Sequence, residues 1–150
     1  MYIRLETISE PLVTRLREAT PATQRAAAVE AARLALRLAG VAIPSVDSAL
    51  DEITSRGEIS AKVRVALEEI VSGFEQRAFQ VQEQSLAGNG VYRDYLPLFS
   101  AARAVSAILM ALQENPFEAA CEAIYEAAAT TDDSRIIVEK ISQFLSPETQ

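Results

Sequence analysis

The stretch FSAARAVSAILMALQENPFEAACEAIYEAA, residues 99–128, decides the fold of this chain. Apolar residues recur in its first half at three- and four-residue spacing, for example at Val105 and Ile108, which is the period of an α-helix with one buried face. Asn115 and Pro116 then supply an N-cap followed by a proline in the first helical turn. The stretch predicts two helices joined by a short turn, which makes them antiparallel neighbours.

Prolines, glycines and capping residues divide the rest of the chain in the same way. They predict about seven helices, at residues 12–19, 21–39, 44–55, 60–86, 94–114, 116–130 and 134–145, after an opening segment compatible with an extended chain. Thr20, Asn115 and Asp133 are the predicted caps, and Gly88-Asn89-Gly90 is a predicted turn. No fixed-period repeat is present. The sequence predicts an all-α fold, a compact single-domain bundle over residues 1–150.

The apolar periodicity also predicts which side chains face the core. In the helices over residues 60–86, 94–114 and 134–145 the inward residues are Val63, Leu67, Ile70, Phe74, Ala78 and Val81; Leu96, Phe99, Ala102, Val105, Ile108, Leu109 and Leu112; and Ile137, Ile141, Phe144 and Leu145. Gly73 costs about 1 kcal/mol relative to alanine inside a helix, so a close helix crossing is expected there.

Bulk composition points to a globular, cytoplasmic protein. Of the 150 residues 49% are apolar and 23% are charged, close to the averages of folded domains. The N-terminus has no apolar signal segment, and the run from Leu96 to Leu112 is interrupted by Arg103 and is too short to span a membrane. A net charge of −7 disfavours binding to a nucleic-acid backbone. We therefore expect neither a membrane nor a nucleic-acid partner.

Catalytic residue types are scarce. The chain has no histidine and one cysteine, which excludes histidine-based triads, imidazole zinc sites and all-thiolate metal sites. Cys121 lies among apolar residues without nearby positive charge, so we expect a buried, unreactive thiol. We predict no enzyme, no cofactor and no metal site, although a carboxylate-only site for a hard metal ion stays open.

An acidic ridge is the feature that most needs an explanation. Glu118, Glu122 and Glu126 recur every four residues, and from Glu114 to Asp133 there are six acids and no base. Like charges at this spacing repel by about 0.2–0.5 kcal/mol per pair. The ridge could be a solvated face, it could pair internally with Arg103 on the preceding helix, or it could bind a basic partner.

The candidate partner-binding residues extend beyond the ridge. They are Glu118, Glu122 and Glu126, with Asp132 and Asp133 at the rim and with Tyr92 and Tyr125 as anchors. The tyrosines belong to an aromatic group that also contains Tyr95 and Phe99. Core packing is the more common explanation of such a group, but tyrosines beside acidic groups also make good interface anchors.

Residues 99–128 resemble small helical immunity proteins of bacterial toxin systems. The resemblance lies in an alanine-rich helix with an internal arginine, Arg103, which leads through a proline turn into a helix that reads E-A-x-x-E-A-x-Y-E-A from Glu118. It implies a stoichiometric inhibitor of a toxin domain, often a basic nuclease. The N-terminal half carries no matching motif.

Three hypotheses follow. The leading one is a bacterial immunity or antitoxin-like protein that binds and neutralises a toxin domain through the acidic helical surface. The alternative is a self-associating helical scaffold or adaptor, in which the helix over residues 60–86 pairs between subunits through Val63, Leu67, Ile70 and Phe74, together with the helix from Pro21. The third is an enzyme that uses only carboxylates and a divalent ion.

Overall fold

The computed structural model describes residues 2–86 and 96–146, and within these ranges it contains helices and no strand. A short 3-10 helix, Arg4–Thr7, precedes seven α-helices. These are α1 (Glu10–Glu18), α2 (Pro21–Ala39), α3 (Pro44–Arg56), α4 (Ala61–Leu86), α5 (Leu96–Ala111), α6 (Pro116–Ala128) and α7 (Arg135–Leu145). The prediction of an all-α bundle of about seven helices is confirmed. The predicted turn at Gly88-Asn89-Gly90 lies outside the described residues.

Capping residues set several of the helix boundaries. The side chains of Ser9, Thr20 and Asn115 each accept a hydrogen bond from the amide three residues later, at 3.2, 3.1 and 2.9 Å. Each of these bonds satisfies one of the amides that a helix N-terminus leaves without a partner. Gly40 and Gly57 end α2 and α3 with φ of 70° and 77°, a left-handed conformation that costs glycine no steric energy.

Helix α2 lies at the centre of the bundle and packs against α3, α5, α6 and α7. Its contact surface is built from alanines, because the side chains of Ala27, Ala28, Ala31, Ala32 and Ala35 have no exposed area. Side chains of this size let neighbouring backbones approach closely, and α5 and α6 contribute alanines of their own to the same core. The three alanine-rich helices form the centre on which the other elements pack.

The chain start folds onto α6 as the 3-10 helix, whereas the sequence suggested an extended segment. Ile3 is 7% exposed and Leu5 is fully buried, so this segment belongs to the core. It contacts both α1 and α6. As a result Arg4, which lies between these two anchors, comes to rest beside the acidic ridge.

The C-terminal end of α5 differs from its prediction. The helix ends at Ala111 rather than at Glu114. Arg25 of α2 donates hydrogen bonds to the carbonyl oxygens of Ala111, at 3.2 Å, and of Gln113 and Glu114. The carbonyl of Ala111 is one of the acceptors that the C-terminus of α5 leaves free, and those of Gln113 and Glu114 belong to the connection to α6. Arg25 therefore caps α5 from another helix and also holds the turn that follows it.

The predicted cap of α7 is also different in detail. Ser134 occupies the N-cap position and makes no side-chain capping bond. Asp133 lies one residue earlier, where its Oδ1 accepts a hydrogen bond from the backbone N–H of Arg135 at 3.0 Å. The carboxylate therefore still satisfies a first-turn amide.

Several predicted core positions are wrong. Leu96, Phe99 and Phe144 are 45%, 44% and 44% exposed. All three lie near the ends of their helices, where fewer neighbouring elements are present to cover a side chain. The close helix crossing expected at Gly73 is absent too, since no atom of another described element lies within 4 Å of the position that a Cβ would take.

Helix α4 packs mainly along α5. Leu67 is 1% exposed, and Val63, Ile70 and Phe74 pack against the same core. The face on which we expected α4 to pair between subunits is therefore occupied within one chain, as is the alanine face of α2. Within the described ranges no helix is long and apolar enough to cross a membrane.

Candidate functional site

The acidic ridge lies on α6, which packs its other side into the core. Ile124 has no exposed area and Cys121 is 2% exposed, so the orientation of the helix is fixed. The spacing of four then places Glu118, Glu122 and Glu126 along one line. The structure covers the C-terminal part of this line with the 3-10 helix and with α5, so the three glutamates lie in different environments.

Glu126 is buried and paired twice. It is only 4% exposed. Arg103 of α5 donates from Nη1 to Oε1 at 3.0 Å and to Oε2 at 3.2 Å, so the internal pairing that the sequence analysis left open is present for this glutamate. Arg4 donates from Nη2 to Oε2 at 3.1 Å. A carboxylate out of water needs this compensation, because an unpaired buried charge is strongly destabilising.

Arg4 is the residue that the sequence analysis missed. Its Nη2 lies 2.6 Å from Oε1 of Glu122, and its guanidinium carbon lies 4.2 Å from the centre of the Tyr125 ring. The hydrogen bond to Glu122 raises the pKa of the Arg4 guanidinium, against the opposing effect of burial. The signal in the sequence is slight: Arg4 is the only basic residue before Arg15, and it lies between two apolar residues.

Glu118 and one oxygen of Glu122 stay available. Oε2 of Glu122 and both carboxylate oxygens of Glu118 accept no hydrogen bond from the described part of the chain. Both residues line a groove of about 340 Å³, whose other lining residues are Tyr2, Ile3, Arg4, Gln113 and Cys121. We call this the acidic groove. Tyr2 is 75% exposed at its edge.

Cys121 lies at the base of the acidic groove as an unreactive thiol. Burial raises its pKa to about 12, and the negative charge of Glu122 adds to this effect. The predicted burial of Cys121 is confirmed. Glu6, which is exposed on the 3-10 helix, and Glu118 raise the same pKa by their charges, so both carboxylates lie on this side of the molecule.

The remaining candidates are placed as follows. Asp132 is exposed after the end of α6. Asp133 pairs with Arg135, whose Nε lies 2.9 Å from Oδ1, and the hydrogen bond from this arginine lowers the pKa of Asp133. Tyr125 is half-buried beneath Arg4. Tyr92 and Tyr95 lie outside the described residues.

The groups available on this surface are hydrogen-bond acceptors. In residues 2–86 and 96–146 no group of three acidic, cysteine or histidine side chains is arranged to hold a metal ion. The available carboxylates, together with an exposed phenol, can accept hydrogen bonds from cationic side chains. No family model, curated protein or solved structure matches the chain.

Proposed function

We propose that this chain is a non-catalytic binding protein of the immunity type, which neutralises a toxin domain by covering one of its basic surfaces. The proposal rests above all on one observation: Glu118 and the outer oxygen of Glu122 line the acidic groove and accept no hydrogen bond from residues 2–86 and 96–146. The immunity role itself comes from the resemblance of residues 99–128. The partner is a basic protein.

The division of the ridge into an anchored part and an available part suits such a role. Arg4 and Arg103 hold Glu126 in place, so the neighbouring backbone is fixed before a partner arrives. A preorganised surface loses little conformational entropy on binding. In this account Glu126 acts as an internal anchor, whereas Glu118 and Glu122 contact the partner.

Electrostatics favour the same surface. Glu118 and Glu122 carry two negative charges in the lining of the acidic groove, against the single positive charge of Arg4. Beyond the lining, the opposite charges of Glu6 and Arg17 both act on Cys121 and offset each other. Complementary charges raise association rates and discriminate between partners more than they raise affinity. Tyr2 supplies the kind of exposed aromatic side chain that interfaces use as an anchor.

The function can be tested by capture and by rescue. The immobilised chain is exposed at low salt to a lysate of the cells in which it is made, and bound proteins are identified. We expect a basic protein bound one to one, which stops growth when expressed alone and permits growth when co-expressed with this chain.

Two matched double variants test which surface is responsible for the rescue. Glu118→Gln/Glu122→Gln removes charge from the acidic groove and should abolish rescue. Glu58→Gln/Glu69→Gln removes the same charge from exposed positions elsewhere and should preserve it. A captured partner that is harmless alone would contradict the immunity role, and equal rescue by both variants would contradict the assigned surface.

A further inference from the structure

A second groove lies where α2, α3 and α7 meet the end of α5, and it shares no lining residue with the acidic groove. Its volume is about 470 Å³, within the range of about 300–1,000 Å³ that small-molecule sites occupy. The apolar part of its lining consists of Ala22, Ala26, Val29, Ile53, Ala111 and Phe144. We call it the apolar groove.

Phe144 gives the first reason to regard the apolar groove as a site. The periodicity of α7 predicts an inward ring, yet the residue is 44% exposed and lines the groove. Ile53 and Ala111 at the same groove are almost fully buried, at 6% and 3%. An apolar ligand that covers Phe144 would remove this ring from water, which is favourable in proportion to the apolar surface buried.

The charged lining gives the second reason. Arg25, Glu30 and Arg33 line the groove. The Nη1 and Nη2 atoms of Arg25 already donate hydrogen bonds to carbonyls at the end of α5 and in the turn after it. Arg33 donates from Nη2 to Oγ1 of Thr54 at 2.9 Å, and its Nε and Nη1 have no partner in the described chain.

Arg33 therefore offers free donors beside an apolar cavity. Two arginines and one glutamate leave the apolar groove with a net positive charge, in a chain whose overall charge is −7. A guanidinium with unused donors matches a carboxylate in geometry and in charge.

We propose that the apolar groove binds a small amphiphilic carboxylate. The acid group accepts hydrogen bonds from Arg33 at the α3 end, and the apolar tail lies along Ala26 and Val29 against Phe144. This site is independent of the proposed function, because its residues belong to a different surface.

Three probes with the same tail and different head groups test the proposal: octanoate, octanol and octylammonium, each titrated calorimetrically into the intact chain. We expect octanoate to bind saturably at one site and to shift the methyl resonances of Ala26 and Val29. Octanol should bind more weakly, and octylammonium should not bind there. A general attraction of amphiphiles to an acidic protein would favour the ammonium instead.

Charge variants separate the head-group contact from the tail contact. Arg33→Gln should weaken octanoate about tenfold or more, since it removes a charged hydrogen bond. Glu30→Gln should strengthen octanoate by up to about fivefold, because it removes a nearby like charge. Arg37→Gln, one turn further along α2 and outside this groove, is the matched control and should change nothing.

A filling variant tests the cavity itself. Ala26 is exposed, so Ala26→Leu fills the apolar groove without entering the core, and it should block octanoate while the melting temperature stays near that of wild type. Ala61→Leu, at an exposed position on α4, is the control and should bind normally. Any of three results would overturn the proposal. These are the absence of saturable octanoate binding, stronger binding of octylammonium than of octanoate, and octanoate binding that neither Arg33→Gln nor Ala26→Leu weakens.

Discussion

At the scale of single residues, the environment of Glu126 determines what the acidic ridge can do. Its carboxylate is 4% exposed and depends on two arginines from different parts of the chain. We expect Glu126→Gln to lower the free energy of unfolding by about 2–4 kcal/mol, which is less than for a fully buried pair because both arginines are about one-third exposed. Urea denaturation measures this loss.

Glu118→Gln is the control for that measurement. Glu118 lies on the same helix line and accepts no hydrogen bond through its carboxylate, so its change should alter stability by less than about 1 kcal/mol. Equal stabilities for Glu118→Gln and Glu126→Gln would show that the ion pairs of Glu126 contribute nothing.

Cys121 provides a second test at this scale. The thiolate is the reactive form, and burial raises the pKa of Cys121 to about 12. Native labelling by a chromogenic disulfide at mildly alkaline pH should be about a hundredfold or more slower than labelling of Ser48→Cys, an exposed site, placed in a Cys121→Ala background. Comparable rates would show that Cys121 is accessible.

The same pKa difference makes stability depend on pH. The thiol ionises near 9.0 in the unfolded chain and near 12 in the folded one, so the folded form keeps its proton longer. The buried, protonated thiol therefore contributes fully to the free energy of unfolding below about pH 9, and this contribution is lost as the pH rises from about 9 to about 12. Between about pH 9 and pH 12 the free energy of unfolding should fall more for wild type than for Cys121→Ala. Parallel plots of stability against pH for the two proteins would count against the raised pKa.

At the scale of helices, local signals in the sequence predict the elements well. Thr20, Asn115 and the proline after each of them define the starts of α2 and α6, because a cap acts within three residues of itself. Gly40 ends α2 for an equally local reason. Phe144 shows the limit of such local signals. The apolar period of α7 predicts an inward ring, but burial also requires another element to cover that position.

Substitutions in the core test the helix faces directly. Leu67→Ala, Ile108→Ala and Ile124→Ala should each destabilise by about 2–5 kcal/mol, because each side chain is at most 1% exposed and would leave a cavity. Phe144→Ala should cost less than any of the three, since its ring is partly in water. A larger loss for Phe144→Ala would place that ring in the core after all.

At the scale of the whole molecule, the acidic surface is assembled from distant parts of the chain. Arg4 and Glu126 are 122 positions apart, and no local pattern connects them. The sequence analysis offered Arg103 as one possible internal partner for the ridge, because a short turn makes α5 and α6 neighbours, and the structure shows Glu126 as the glutamate that it pairs with. The return of the chain start to α6 is a property of tertiary packing by Ile3 and Leu5, which periodicity in so short a segment does not reveal.

This assembly also determines which part of the ridge is available. Arg4 and Arg103 neutralise the end near Glu126, and the charge that remains lies around Glu118, Glu122 and Tyr2. The sequence presented three equivalent glutamates at regular spacing. Their division into one buried, paired residue and two more accessible ones follows from the elements that pack over α6.

The most direct test of the central claim is the association rate of the captured partner, measured at low and at high ionic strength. For Glu118→Gln/Glu122→Gln we expect association about tenfold slower than for wild type at low salt, with the difference shrinking as salt screens the charges. Glu58→Gln/Glu69→Gln, which removes the same charge elsewhere, should associate at nearly the wild-type rate. Equal association rates for wild type and a correctly folded Glu118→Gln/Glu122→Gln at both salt concentrations would contradict the account.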